Sequence, residues 1–119
     1  MAMPFQEFIE DEVFSPARVA NALRTTRVEI ADTLGLGRDA FSRASRVRAH
    51  KTQTRLRQML EILHRVKAET GAGDLAAYAW FRSEPLIGFD DMTADQLVRE
   101  GRADYVHAYL DDVADGGYA

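Results

Sequence analysis

The sequence predicts an all-α protein built from two small modules that share one long helix. Apolar residues recur at spacings of three and four along most of the chain, capping residues precede these stretches, and glycines follow them. No segment has convincing strand alternation, and there is no internal repeat. A chain of 119 residues can bury only a modest core. Because a small core gives marginal stability, we expect the protein to form a homodimer.

Residues 1–14 are predicted to form an acidic N-terminal arm that contains no base. Its acids are Glu7, Glu10, Asp11 and Glu12. Phe5, Phe8 and Ile9 would share one face of a short helix, which could cover the domain or a dimer mate. Such an arm would also compete with a polyanion for basic residues elsewhere in the chain.

Two short helices are predicted after the arm. Ser15 and Pro16 start the first one, because serine caps free backbone amides and proline loses no hydrogen bond at the first helical position. This helix is predicted to end near residue 25. Thr26 and Glu29 form a capping box for the second helix, and Gly35 ends it.

A third helix is predicted after Gly37, with Phe41 and Ala44 facing inward. The longest helix is predicted over residues 52–69, where apolar side chains follow the helical period. Gly71 stops it, and the boundary between the modules is placed at residue 70. The two modules are therefore residues 15–70 and 71–119.

Three further helices are predicted in the second module. Residues 74–82 form the first, which must end before Pro85 because the residue preceding a proline is pushed out of helical geometry. Thr93 and Gln96 form a second capping box. The last helix is predicted over residues 103–114, before a glycine pair.

Charge is segregated along the chain. Residues 1–14 carry −4, residues 15–67 carry twelve Lys or Arg and four acids for a net +8, and the remaining residues carry −8. The overall charge of −4 therefore conceals a basic middle and an acidic end. This pattern predicts a polyanion as the partner of the middle and a cationic or apolar partner for the end.

Residues 26–43 have the spacing of a helix-turn-helix motif. Ala31 is small where a second helix must cross closely, and Gly35 follows where the turn needs a positive φ. In a DNA-binding protein the second helix would begin at Arg38 and lie in the major groove. The predicted DNA-binding residues are Arg38, Ser42, Arg43, Arg46, Arg48 and Lys51.

Within this set, Arg38 and Arg43 would read bases, because an arginine fork can hold both acceptors of a guanine edge. The bases after them, including Arg55 and Arg57, would contact phosphates and set the salt dependence of binding. The alternative is that this run of charge is only a solvated helix face.

The second module carries a series of residues whose order and spacing are informative. They are Ala79-Trp80-Phe81, Pro85-Leu86-Ile87-Gly88, Met92 to Val98, Gly101, Val106, Leu110 and Gly116. This series resembles the toxin-binding domain of Xre/MbcA/ParS-type antitoxins. The resemblance extends over nearly the whole chain, because that family places an Xre-like helix-turn-helix module directly before this domain.

The resemblance implies a type II antitoxin that neutralises its toxin by contact. The usual toxin of the family is a RES-domain enzyme that degrades NAD or transfers its ADP-ribose. The C-terminal helix and tail of the antitoxin cover the active-site cleft, and many members dimerise and repress their own promoter. The implied toxin-binding residues are Tyr105, Tyr109, Asp111, Asp112, Asp115, Gly116, Gly117 and Tyr118.

The acids and tyrosines of this set are chemically suited to a dinucleotide-binding cleft. A cleft for the phosphates of a dinucleotide presents cationic groups or amide donors, which an acidic segment with tyrosines could occupy. The alternative is that Tyr105 and Tyr109 pack the core, and we expect one of them in the core and the other at an interface. Trp80 and Phe81 are expected in the core.

The sequence contains no recognisable catalytic pattern. His50, His64 and His107 are far apart, and the chain has no cysteine, so neither a metal site nor a thiolate nucleophile is predicted. We expect no enzymatic activity, no cofactor and no small-molecule substrate. Neither a signal peptide nor a membrane span is predicted, and the expected location is the cytoplasm.

Two alternatives to the antitoxin remain. One is a free-standing dimeric helix-turn-helix transcriptional regulator without a toxin partner. The other is an interaction module that has lost DNA binding.

Overall fold

A computed structural model describes residues 5–116, which form seven α-helices, one short 3-10 helix and one two-stranded sheet. The chain divides into two compact units, residues 1–60 (unit 1) and residues 61–119 (unit 2), and the division falls within the longest helix. The fold is mostly helical, as predicted. The expectation that no strands form is wrong for residues 9–14.

The N-terminal arm forms a β-hairpin. After a 3-10 turn over Gln6–Phe8, strand β1 (Ile9–Glu10) pairs antiparallel with strand β2 (Val13–Phe14). Ile9 lies opposite Phe14 and Glu10 opposite Val13, which leaves Asp11 and Glu12 as a two-residue loop. The predicted helical arm is therefore wrong beyond the 3-10 turn.

The first two helices of unit 1 begin where their caps predict. Helix α1 spans Pro16–Ala22, and the Ser15 hydroxyl accepts a hydrogen bond from a backbone N–H of its first turn. Helix α2 spans Arg27–Thr33, and the Thr26 hydroxyl accepts the Glu29 N–H at 3.1 Å. These local bonds satisfy amides that a helix leaves without partners, and they fix both starting points.

The helix predicted after Gly37 is wrong over residues 38–43, which form turns. The Ser42 N–H donates to the Asp39 carbonyl at 3.1 Å, a three-residue spacing that closes a turn and does not propagate an α-helix. Helix α3, Ala44–Val47, is a single turn without a buried residue. Phe41 is buried as predicted, whereas Ala44 is exposed.

Helix α4 spans His50–Thr70 and confirms the predicted long helix. Its N-terminal part belongs to unit 1 and its C-terminal part to unit 2. The core of unit 1 includes the fully buried side chains Val19, Ile30, Leu34, Leu56 and Met59.

Unit 2 contains helices α5 (Asp74–Ser83), α6 (Ala94–Arg99) and α7 (Ala103–Ala114), which confirm the three predicted helices. The capping box before α6 is present, with the Thr93 N–H donating to the side-chain oxygen of Gln96 at 2.9 Å. The core includes the fully buried side chains Ile62, Phe81, Leu86, Leu97, Val98 and Val106.

Candidate functional site

Arg55 is bound inside unit 1 and does not face a partner. Its guanidinium donates to the Leu34 carbonyl at 2.8 Å and to the Gly35 carbonyl at 3.1 Å. These carbonyls lie at the C-terminal end of α2, where a helix leaves acceptors without intrahelical donors. Arg55, which the sequence predicts to contact a phosphate, therefore caps the C-terminal end of α2.

Two other arginines are bound by the hairpin. The Arg48 Nη2 donates to the Asp11 carbonyl oxygen at 2.8 Å. The Arg18 Nη1 donates to the Ile9 carbonyl at 3.0 Å, and its Nη2 lies 3.5 Å from a Glu10 carboxylate oxygen. Arg48, a predicted DNA-binding residue, is thus occupied by the acidic arm.

The remaining bases of the predicted DNA-binding set are exposed. Within residues 5–116, no carboxylate forms an ion pair with the side chains of Arg27, Arg38, Arg43, Arg46 or Lys51. We call these five residues the cationic surface. Their charge is uncompensated within the described structure and is available to a polyanion.

Two depressions lie along the cationic surface. The first has a volume of about 170 Å³ and is lined by Arg27, Val28, Arg38, Phe41 and Ser42. The second has a volume of about 310 Å³, and its lining includes Arg38, Arg46 and Lys51. Arg38 lines both depressions, so the two adjoin at this side chain. Together they are lined by four bases and one acid, Asp39.

The geometry differs from the predicted recognition helix. Arg38, Ser42 and Arg43 lie in turns or bends, and Arg43 is the residue that precedes α3. The Ser42 hydroxyl donates to the Asp39 carbonyl at 2.8 Å. A helix that begins at Arg38 and presents these side chains to the major groove is therefore a wrong prediction for this structure.

Arg27 is a candidate binding residue outside the predicted DNA-binding set. It is the first residue of α2 and lines the first depression together with Arg38. Its position directly after the N-cap Thr26 is the sequence signal for this role, because a side chain at the start of a helix is close to the preceding loops.

Three aspartates of α7 and the C-cap residue Asp115 lie on the exposed side of this helix. At 3.6 residues per turn, Asp104, Asp111, Asp112 and Asp115 fall within roughly 100° of the helix circumference. All four are exposed, whereas Ala103, Val106 and Leu110 face the core. We call these four aspartates the acidic face of α7.

Asp111 differs from its neighbours because it is bound within unit 2. The Arg65 guanidinium, on α4, forms an ion pair with Asp111 and with Glu69, and it donates to the His107 carbonyl at 3.2 Å. Burial disfavours the charge of Arg65, but the hydrogen bonds to Asp111 and Glu69 outweigh this effect and raise the pKa of Arg65. Of the predicted toxin-binding acids, Asp111 therefore anchors α7 to α4.

The two tyrosines of α7 contact the same aromatic ring. The Phe89 ring centroid is 5.8 Å from that of Tyr105 and 6.2 Å from that of Tyr109. Tyr105 is 42% exposed, and the Arg102 guanidinium lies over its ring at 5.5 Å. Tyr109 is half-buried. Tyr105 is thus the more accessible of the pair.

Tyr109 also lines an apolar groove in unit 2 with a volume of about 340 Å³. The groove is formed by α4, α5, α7 and the loop after α4. Its lining residues are Val66, Thr70, Ala72, Ala76, Trp80, Tyr109, Leu110 and Val113. Phe81 is fully buried, as predicted, but Trp80 is only half-buried because it forms a wall of this groove.

Gly116 follows α7 with a φ of 78°, a conformation that favours glycine, and it is exposed. A Cβ at this position would meet no atom within 4 Å. The predicted toxin-binding residues Gly117 and Tyr118 lie outside the described residues.

Within residues 5–116, no group of three or more His, Cys, Asp or Glu side chains is arranged to hold a metal ion. No described helix combines the length and apolar character that a membrane span requires.

Comparison with known proteins gave no relative. No protein-family model matches the chain, and searches of curated proteins and of solved structures found no match.

Proposed function

We propose that this protein is a type II antitoxin that covers the active-site cleft of a RES-domain, NAD-consuming or ADP-ribosylating toxin with α7 and the tail that follows. The proposal includes an Xre-like DNA-binding module in residues 15–70 in which turns stand in place of the predicted recognition helix, repression of its own promoter, a homodimer and a cytoplasmic location. The observation that carries it is the separation of charge: the cationic surface in unit 1, and the acidic face of α7 in unit 2, where Asp111 is paired with Arg65 and Asp112 and Asp115 are exposed.

The sequence charge of the two units supports two different partners. Unit 1 holds ten Lys or Arg and seven acids, a net +3, and unit 2 holds five Lys or Arg and twelve acids, a net −7. A polyanion would be repelled by unit 2 and attracted by the cationic surface of unit 1. A protein with a cationic cleft would show the opposite preference.

The acidic face suits the cleft of an NAD-dependent enzyme. Such a cleft attracts the phosphates of its dinucleotide with cations or backbone amides, and Asp112 and Asp115 offer carboxylates to the same groups. Tyr105 is exposed about two turns earlier on the same helix and gives a large contact area at a low cost in side-chain entropy. These three residues form the proposed centre of the toxin interface.

The apolar groove is the proposed second contact with the same toxin. Its lining includes Trp80, Tyr109 and Val113. Asp112 directly precedes Val113 in α7. An apolar side chain flanked by Lys or Arg would match both the groove and the acidic face. We therefore expect the toxin to insert such a residue from the rim of its cleft.

DNA binding is proposed to rest mainly on phosphate contacts. The cationic surface carries five bases, but turns take the place of the predicted recognition helix. Phosphate contacts give affinity and position a protein without reading the sequence. A homodimer on two half-sites would provide the specificity that one such surface lacks.

The toxin part is tested by isolating the tagged protein from its native host after a high-salt wash, which removes phosphate contacts. The co-purifying protein, identified by mass spectrometry, is then assayed for NAD consumption with and without the purified antitoxin. We expect NAD consumption that the antitoxin suppresses. A chain that dimerises and binds DNA but suppresses no such enzyme would favour the free-standing regulator.

Variants then locate the interface. Tyr105→Ala and the pair Asp112→Asn with Asp115→Asn should each weaken inhibition by a factor of about 10 to 100. The matched control is Asp90→Asn with Asp91→Asn, which removes two exposed charges and keeps residues that tolerate the positive φ found there. Equal inhibition by the control and the α7 variants would remove the acidic face from the mechanism.

A further inference from the structure

The base of the N-terminal hairpin is firmly attached to unit 1. Phe8 is buried, and its carbonyl accepts the Ser15 N–H at 2.8 Å. The Gln53 side chain accepts the Phe14 N–H at 2.8 Å and donates to the Phe14 carbonyl at 3.0 Å. Gln53 thus replaces a neighbouring strand for β2, and it also donates to the Val47 carbonyl at 2.8 Å.

The tip of the hairpin has a strained backbone. Asp11 has a φ of 52° and Glu12 a φ of 71°, as a two-residue hairpin loop with a type I′ turn requires at both central positions. Aspartate tolerates this left-handed region, but glutamate does not share that tendency, and glycine is the usual second residue. The tip is therefore held in place by contacts and not by its own backbone preference.

Those contacts come from Arg48 and Arg18, and both arginines are exposed. The partner of Arg48 is a neutral carbonyl, that of Asp11. The ion pair of Arg18 with Glu10 is long, at 3.5 Å, and both side chains are about half exposed. A phosphate is a stronger partner for either guanidinium, because it is charged and can bind the arginine fork with two oxygens.

We propose that the acidic tip, residues 9–13, is a built-in competitor of DNA. In the free protein it occupies Arg18 and Arg48, and it yields them to phosphate groups when DNA binds. The strain at the tip lowers the free-energy cost of opening it. The attached base keeps the arm close to Arg18 and Arg48, so the tip binds them again when the DNA dissociates. This inference rests on the DNA binding in the proposed function and adds two bases to the surface that contacts DNA.

The sharpest test compares Glu12→Gly with Glu12→Gln in the full chain. Both remove the same charge, but only glycine relieves the strain and stabilises the closed tip. Because closing the tip reduces the population that can bind, Glu12→Gly should bind duplex DNA about fivefold more weakly than Glu12→Gln. Fluorescence anisotropy with one labelled duplex at low salt measures both affinities.

A second measurement asks whether Arg48 reaches the DNA. Arg48→Ala should reduce the slope of log K against log salt by about 0.9, the value of one phosphate contact. A merely structural role for Arg48 would change the affinity and leave this slope unchanged.

The outcomes separate this inference from the function on which it rests. Measurable DNA binding with equal affinity of the two Glu12 variants and an unchanged Arg48→Ala slope would overturn the competitor and leave DNA binding intact. Absence of binding by the wild type and by every variant at low salt would overturn the DNA-binding half of the proposed function and this inference with it.

Discussion

Replacing Arg38 with alanine is the most direct test of the cationic surface. Arg38 lines both depressions of that surface and is exposed, and the charged groups of residues 5–116 form no ion pair with it. Because the side chain lies in a turn and supports no buried contact, its removal should leave the fold unchanged. Any loss of DNA binding would then report the lost charge.

The magnitude follows from the number of bases that would contact DNA, which are the five of the cationic surface and the two that the arm yields, Arg18 and Arg48. If each contacts one phosphate, log K should fall with log salt with a slope of about −6.3. Raising the salt from about 50 mM to about 200 mM would then weaken binding about 6,000-fold. Without Arg38 the slope should be about −5.4, and the same salt step should weaken binding about 1,800-fold.

Fluorescence anisotropy of a labelled duplex across a salt series measures these slopes. Arg57→Ala is the matched control, because Arg57 is also exposed but lies on α4 and outside the cationic surface. Arg38→Ala should change the slope, and Arg57→Ala should leave it at the wild-type value. Equal slopes for the wild type and both variants would refute the assignment of the surface.

Two further predictions concern stability and are measured by urea unfolding. Arg55→Leu should destabilise the protein by about 1 to 3 kcal/mol, because it leaves the carbonyls at the end of α2 without a donor. Arg57→Leu, at an exposed position of α4, should have little effect. Arg65→Met should lower the free energy of unfolding by a constant amount between about pH 6 and about pH 10. The pKa of Arg65 is raised in the folded protein, so its contribution to stability is complete below its ordinary pKa. The contribution is lost only as pH rises through the raised pKa. A loss that disappears within this pH range would show that another group is responsible.

The helices predicted with the correct bounds are those with local signals at both ends. Helix α7 begins and ends where the sequence predicts, and α4 extends the prediction by only a few residues. The start of α6 follows from the capping box of Thr93 and Gln96, which lie on the same turn. Caps and helical periodicity involve neighbours within four residues, so the local sequence is sufficient to predict where such a helix begins and ends.

In residues 38–43, local hydrogen bonds of a side chain and a turn replace the helix that the apolar spacing predicts. The Ser42 hydroxyl and the Ser42 N–H both donate to the Asp39 carbonyl. In an α-helix the Asp39 carbonyl would accept the N–H of Arg43. Here it accepts the two bonds from Ser42, which close a turn. Apolar spacing alone could not reveal this, because Phe41 is buried in either conformation.

The hairpin could not be predicted because its support is distant in sequence. Each strand has only two residues, too few for a recognisable alternation. The bonds that hold it come from Arg48 to Asp11 and from Gln53 to Phe14, which are separated by 37 and 39 residues. A glutamate at the second loop position also hides the turn, since Asp-Gly is its usual signal.

The same long-range bonds decide which charges can bind a partner. From the sequence, the bases of residues 15–67 all contribute to a net +8. In the structure, Arg48 and Arg55 bind backbone carbonyls within unit 1, while Arg65 and Lys67 pair with acids in unit 2. A salt slope near the value for seven contacts, those of the cationic surface and of the two arginines that the arm yields, would be well below the value for the twelve bases of the basic block. Such a slope would reflect the fold and not the composition.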